Sequence, residues 1–381
     1  MTMRDIPPFR ADHVGSLLRP PALLAARADA AAAGPAGAAG PGDAAGRLRE
    51  AEDAAIRDVV AAQRSAGLRS ATDGEFRRTS WHMDFIYRLG GVRPSEEKIK
   101  VQFHNPEGDI EFETAALAVT ERITLPETIF ADDFRFLASV VEPDVTAKLT
   151  IPSPSMVHYR GGPAAIDPAV YPDQDEFWAD LSAAYAAQVR EVAALGCRYL
   201  QLDDTSLAYL NDPVQRAMLA GRGDDAEHQH LRYIRQINAA LADRPAGLRI
   251  TTHMCRGNFR SSWAASGGYD FVAEALFSQL AVDGFFLEYD DPRSGSFAPL
   301  RFVPPDKQVV LGLVTTKSGV LESKDDLKRR IDEASRYVPL EQLCLSPQCG
   351  FSSTVEGNVL SYDQQMAKLA LIVETAEEVW G

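Results

Sequence analysis

Short runs of extended character that alternate with amphipathic stretches restrict the fold of this chain more than any other feature. The extended runs are residues 12–16 (DHVGS), 69–73 (RSATD), 147–151 (AKLTI), 198–203 (RYLQLD), 248–253 (LRITTH), 284–288 (GFFLE), 308–313 (QVVLGL) and 342–346 (QLCLS). Residues 176–196, 230–243, 269–281, 324–338 and 361–380 carry apolar side chains at the three-to-four spacing of helices laid on a sheet. Strand–helix alternation implies parallel strands, because parallel neighbours need a long crossover between them. Eight such runs predict an α/β fold of the (β/α)8 TIM-barrel type. A doubly wound sheet would show a glycine-rich phosphate loop after the first run, and none follows it.

With 381 residues and 45% hydrophobic content, the chain can fill one large barrel, and residues 1–381 are read as a single domain. The Ala/Gly/Pro segment 22–46 reads as part helix and part surface loop, with no chemistry assigned. Turn signals and alternating patterns over residues 91–145 predict a β-hairpin excursion between the second and third strands, serving as a lid or an oligomer contact. A net charge of −15 argues against nucleic acid or an anionic membrane as partner. The N-terminal stretch lacks an apolar core of signal-peptide length, and nothing later approaches the roughly 18 apolar residues of a membrane span, so a cytoplasmic location is expected.

The four cysteines, 197, 255, 344 and 349, do not form a disulfide-framework pattern. Cys197 and Cys344 sit inside apolar runs and read as buried structural thiols. Cys349 follows a strand in a Pro/Gly-bounded turn. His253 and Cys255 are two apart at the end of the fifth run, so an extended backbone projects both to one side. They can share an ion, or be a hydrogen-bonded loop histidine and a small buried hydrophobe.

In a barrel the active site lies at the C-terminal strand ends. The side chains expected there are Ser16, Asp73 and Glu75, Ser153, Asp203 and Asp204, His253 and Cys255, Glu288, Thr315 and Lys317, and Cys349. Among them His253, Cys255, Glu288 and Cys349 are the right types for zinc: an imidazole, two thiolates and a carboxylate. Their separations exceed those of a zinc finger but suit consecutive strands closing on one mouth.

The motifs HVGSLLRP (13–20), TDGEFRR (72–78), YLQLDD (199–204), THMCRGN (252–258), FFLEYDD (285–291) and LSPQCGF (345–351) complete a resemblance. The chain resembles the C-terminal catalytic barrel of cobalamin-independent methionine synthase and its short stand-alone relatives, over nearly its whole length. The resemblance implies zinc held by His253, Cys255, Glu288 and Cys349, activating a substrate thiol, with Asp290 as a substitute for Glu288. It also places Ser16, Glu75 and Asp203 where the family grips the amino-acid part of homocysteine. Two thiolates and a carboxylate leave such a site at about −1, a mild Lewis acid that keeps a captured sulfur electron-rich, which suits alkyl transfer better than hydrolysis.

Simpler roles stand beside these. Asp203 or Asp204 is suited to cap the next helix, and Glu75 to pair with Arg77 or Arg78. His13, His82 and His158 read as structural or solvent-exposed, and His228 and His230 as surface residues at a helix start.

The long synthases carry an N-terminal half that helps hold folate and a histidine after the seventh strand; here that stretch is VTTK (314–317), with Lys317 as an anion anchor or a surface lysine. The partners implied are therefore a small-molecule thiol such as homocysteine and a methyl donor left open. One alternative is thiol addition to an epoxide, as in coenzyme M transferase-like relatives, with Lys317, Arg19 or Arg256 on a sulfonate. A metal-free decarboxylase or lyase barrel and a non-catalytic zinc- or thiol-binding protein are the others.

Overall fold

The computed structural model describes residues 5–33 and 44–381. Among the described residues nine strands form two sheets. Seven of them, β1 (Ser70–Ala71), β4 (Thr146–Pro152), β5 (Tyr199–Asp203), β6 (Arg249–Met254), β7 (Gly284–Glu288), β8 (Gln308–Val314) and β9 (Leu343–Pro347), run parallel in that order. The other two, β2 (Gly90–Asn105) and β3 (Gly108–Thr124), make an antiparallel hairpin.

The eighth barrel position belongs to the first predicted run, but not as a regular strand. Residues 10–17 lie against β9, where Ala11 bridges Leu345, and the Asp12 amide donates to the Leu345 carbonyl at 3.0 Å. On the other flank the Leu17 amide donates to the Gly74 carbonyl and the Thr72 hydroxyl to the Gly15 carbonyl, at 3.1 and 2.6 Å. The ladder is interrupted for a local reason. Asp12 takes the Phe9 and His13 amides on its own carboxylate, and Gly15 sits at φ +147°. At Gly15 a Cβ would stand 2.8 Å from Thr150 Cγ2, so this segment approaches β4 as closely as it does only without a side chain.

Because the strands are buried on both faces, they read as continuous apolar runs rather than alternating ones. Val14, Tyr199, Phe286, Val310 and Cys344 form a cluster of their own within the sheet. Beside them the Tyr199 hydroxyl donates to Asp12, and Lys148 pairs with Asp12 at 3.4 Å while its ammonium lies over the Phe286 ring. Helices Gln174–Ala194, Gln229–Leu241, Ala273–Gln279, Lys324–Ala334 and Tyr362–Trp380 occupy the predicted stretches. Ser361 and Gln364 close the last of them with a reciprocal capping box.

The N-terminal part of the chain carries helices Ala44–Ser65 and Ala131–Val140 beyond the sequence expectation. The low-complexity segment 22–46 begins in helix Pro21–Ala33, its middle lies outside the described residues, and its end opens helix Ala44–Ser65. That 22-residue helix had not been anticipated, although Ile56, Val59 and Val60 recur on one buried face. The excursion before the third barrel strand is the expected hairpin, followed by the helix Ala131–Val140.

The hairpin lies over the C-terminal mouth of the barrel. Phe103 and Phe112 pack their rings on Phe259, with centroids 5.3 and 4.4 Å away. His104 and Trp263 exchange two backbone hydrogen bonds, pinning the hairpin to the loop after β6. The expectation of a lid matches this position.

Candidate metal and substrate site

Under that lid lies a cavity of about 320 Å3 lined by Ser16, Glu75, Asp203, His253, Cys255 and Cys349. These six come from four different strand ends and the N-terminal segment, so barrel closure alone brings them together.

One ligand atom each from His253, Cys255 and Cys349 falls within 4.8 Å of the others, and all three side chains are buried. The proton distribution in this cluster is that of a cation site holding protons instead. The Cys255 contact and the His253 imidazole hold the Cys349 thiol well below its usual range against the effect of burial. Cys255 is pushed well above its range, first by its contact with Cys349 and then by burial. Burial opposes charge on His253, but Asp203 and Cys349 outweigh it and bring the imidazole up to about 10. An imidazole and two thiols of which one is already ionised fit a borderline-soft divalent ion such as zinc.

Asp203 orients the histidine. Its Oδ1 stands 3.2 Å from His253 Nδ1 and accepts from Gln201 Nε2 at 2.7 Å, while His253 Nε2 lies 3.3 Å from the Gln348 carbonyl. The neighbouring Asp204 has the simpler role. It caps the turn that follows, accepting from the Leu207 amide and Ser206 hydroxyl at 2.8 Å each, and Ser153 and Ser155 donate to its other oxygen.

Glu75 is held in the left-handed region, φ 60°, just after Gly74 at φ 65°. A non-glycine residue there costs about 1–3 kcal/mol, a strain found where geometry serves a site. Thr150 donates to its carboxylate at 2.8 Å and Arg78 pairs with it at 3.5 Å. Burial outweighs that arginine, with Asp203 adding to it, and the carboxyl rises to about 7. The expected Arg78 pairing is thus present together with exposure to the cavity. Arg77 instead pairs with Asp53 and Asp133. Asp73 turns back to accept the Glu75 amide at 2.9 Å.

Ser16 touches Cys349's neighbour. A Cβ on Gly350 would stand 1.9 Å from Ser16 Oγ, so the Cys-Gly pair is what lets the first and last elements meet here. The Phe351 amide donates to the Ser16 carbonyl, and Asn258 Nδ2 to the Gly350 carbonyl.

Two of the expected site residues lie elsewhere. Glu288 is fully buried but outside the His/Cys/Cys group. Its oxygens accept from the Arg256 amide at 2.7 Å, Arg293 at 2.8 Å and Lys317 at 3.3 Å. Burial disfavours its charge, yet Lys317, Arg293 and Arg256 together hold the carboxyl well below the usual range. Lys317 is not on the cavity wall. Its ammonium lies between Glu288 and Asp290, so the anion that the sequence led us to expect there is met in this structure by two of the chain's own carboxylates. Asp290 is likewise committed to Lys317.

The other cations considered for a sulfonate are also engaged. Arg19 donates to the Glu75 and Arg78 carbonyls at 2.8 and 2.7 Å and to Ser352 Oγ at 2.7 Å, stapling the two motif loops together. Arg256 donates to the Gly267 and Glu288 carbonyls.

Of the histidines, His228 is exposed as expected, but His230 is buried against the Phe271 ring, 5.1 Å between centroids. Its place on the inner face of helix Gln229–Leu241 decides this. His13 and His158 are buried and structural. His82 is buried too, but it lines the cavity. From the sequence it reads as structural or solvent-exposed, and Arg160, Tyr209 and Asn258 of the same wall are not singled out there. Cys197 and Cys344 are buried as anticipated; burial pushes the Cys197 thiol up to about 12.

The family profile described as "Cobalamin-independent synthase, Catalytic domain" matches residues 43–378. The chain belongs to this family. It is 47% identical over 374 residues to YxjH of Bacillus subtilis, an uncharacterized protein, spanning 98% of this chain and 95% of that one. The methionine synthase of Pyrococcus horikoshii is 22% identical over 312 residues, 79% of this chain and 76% of its own. A Listeria monocytogenes structure described as a putative vitamin-B12 independent methionine synthase superposes with TM-score 0.76 at 37% identity, covering 99% of both chains. A B12-independent methionine synthase from Shewanella sp. W3-18-1, solved with selenomethionine, shares the fold at TM-score 0.69 and 18% identity, covering 97% of both. Family members of this kind carry the (β/α)8 barrel, and the curled parallel sheet of this chain is that barrel. Among the described residues no helix is long and apolar enough to cross a membrane.

Proposed function

We propose that this protein transfers a methyl group to the thiol of homocysteine, giving methionine, with zinc held by His253, Cys255 and Cys349. The observation that carries this reading is one covered cavity joining three soft metal ligands to two carboxylates and a serine. The names of the Pyrococcus and Shewanella proteins support the same chemistry.

Zinc bound there supplies the positive charge that keeps a sulfur nucleophile ionised near neutral pH. The remaining work belongs to the chain. Glu75 and Asp203 face the cavity as acceptors for the ammonium of an amino acid, and Ser16 offers a hydroxyl to its carboxylate. Asp203 has a second task, holding the His253 ring in place through Nδ1. Glu288 is the expected fourth ligand; its charge acts on both thiols, and to serve it must leave Arg293 and Lys317. The hairpin keeps water from the mouth and confines two substrates together, which supplies much of the acceleration.

The test is a product screen. Zinc-loaded protein is incubated with homocysteine and either methyltetrahydrofolate or methylcobalamin, and methionine is measured. Methionine from either donor, lost in Cys255→Ser, supports the proposal. Tight zinc and thiol binding with no methionine from any donor would replace it with the binding-protein reading, and a ring-opened thioether from an epoxide with the coenzyme M-type reading.

A further inference from the structure

Among the described residues the cavity wall carries five carboxylates, Glu75, Asp84, Asp203, Asp204 and Glu356, and Arg160 is the only arginine or lysine lining it. Arg160 has neither an ion pair nor a hydrogen bond to protein among the described residues, and its Nε is buried without an acceptor. The other cations of the mouth, Arg19, Arg78, Arg256, Arg293 and Lys317, each donate to carbonyls or carboxylates, although Arg19 Nε, Arg256 Nη2 and Arg293 Nε are also without acceptors; Arg160 differs in having no such bond from any of its nitrogens. A guanidinium nitrogen withdrawn from water with nothing to donate to costs free energy unless an acceptor arrives from outside.

A second donor on the same wall is in the same condition. His82 is 94% buried, with relative exposure 6%, and its Nε2 has no partner. Ser80 Oγ accepts from the Met83 amide at 3.3 Å and lies 3.1 Å from His82 Nδ1; with the serine hydroxyl donating to Nδ1, its one hydrogen is used and the ring hydrogen sits on Nε2. Burial, with the charge of Arg160 adding to it, keeps this imidazole neutral. Two N–H donors without acceptors thus line one cavity.

A larger cavity of about 920 Å3 lies under the hairpin next to the first, and the two share Val101, Arg160 and Tyr209. The shared wall carries Arg160, and the tyrosine hydroxyl lies close to Gly257, beside Cys255. An amino-acid acceptor is accommodated by the smaller cavity alone.

We propose that Arg160 and His82 Nε2 form an oxyanion subsite that seats an anionic group of the methyl donor, which lies in the larger cavity and reaches past the Arg160–Tyr209 wall into the smaller one, where it meets the acceptor. The chemical class is a donor bearing a carboxylate, phosphate or sulfonate. This rests on the two-substrate methyl-transfer reading for the assignment to the donor, but the subsite itself does not.

The experiment uses full-length, zinc-loaded protein and radiolabelled inorganic sulfate in equilibrium dialysis, at constant ionic strength. Wild type is expected to bind one sulfate per chain, Arg160→Gln at least tenfold more weakly, and Arg160→Lys in between, with unchanged far-UV circular dichroism in all three. Saturating homocysteine is expected to leave the sulfate bound. No sulfate bound by wild type, or equal binding by Arg160→Gln, overturns the subsite. Displacement by homocysteine overturns the donor assignment and gives the seat to the acceptor. Failure of the methyl-transfer reading shows separately, as absence of methionine from any donor while sulfate still binds.

Discussion

Asp203 Oδ1 lies 3.2 Å from Nδ1 of His253, and the same carboxylate lines the cavity into which Cys255 and Cys349 project. One side chain therefore serves both the metal ligand and the substrate pocket. Asp203→Asn should lower metal affinity by about 10–100-fold, the usual cost of losing an outer partner of a ligating histidine. It should also weaken acceptor binding. Competitive chelator titration and methionine binding measure the two effects separately; a variant with normal zinc affinity would limit Asp203 to substrate contact.

Zinc uptake should release protons. At pH 7 His253, at about 10, and Cys255, above its usual range, both hold protons that a metal must displace, while Cys349 is already ionised. Zinc affinity therefore rises with pH through the neutral range. Calorimetry in buffers of different ionisation enthalpy reads the proton count directly; binding with no proton release contradicts this distribution.

Acceptor binding should depend on Glu75. Its carboxyl is raised to about 7, so it is partly protonated at neutrality and becomes a full acceptor for an ammonium only above that value. For stability the sign is opposite: the raised value favours the folded state below the ordinary carboxyl range, and that contribution is lost as pH rises through about 7. Amino-acid affinity should accordingly increase from pH 6 to 8 in wild type. In Glu75→Gln it should be flat and at least tenfold weaker.

Gly350→Ala should abolish activity while sparing the fold. The added methyl would overlap Ser16 Oγ and push apart the first and last elements of the barrel next to Cys349. Steady-state kinetics and zinc content together check this, with kcat/KM falling more than zinc content.

Asp12→Ala should destabilise the barrel by about 3–5 kcal/mol, because it leaves Lys148 buried without its carboxylate. Denaturant unfolding measures the loss. Full stability in this variant would show that the ring faces of Tyr199 and Phe286 suffice for the ammonium.

The barrel and six of its mouth residues were legible in the sequence for one topological reason. In a closed parallel barrel, whatever follows each strand converges on one end, so Glu75, Asp203, His253, Cys255 and Cys349 meet although far apart in the chain, and Ser16 joins them from the N-terminal segment. What was not legible depends on competition between side chains. Glu288 is at the expected strand end, but Arg293 and Lys317 claim its oxygens, and no periodicity foretells that. His82 and Arg160 become visible as donors only when their missing acceptors are counted. The irregular first strand turns on Asp12 capturing its neighbours' amides, a local contest that an alternating pattern does not record.

The central claim is that His253, Cys255 and Cys349 hold one divalent ion. Cobalt-substituted protein tests it most directly, through the thiolate-to-cobalt absorption in the near ultraviolet. The account predicts one cobalt per chain with the intensity of two thiolates, reduced to about half in Cys255→Ser and in Cys349→Ser. No stoichiometric ion, or a spectrum identical in wild type and both variants, would contradict it.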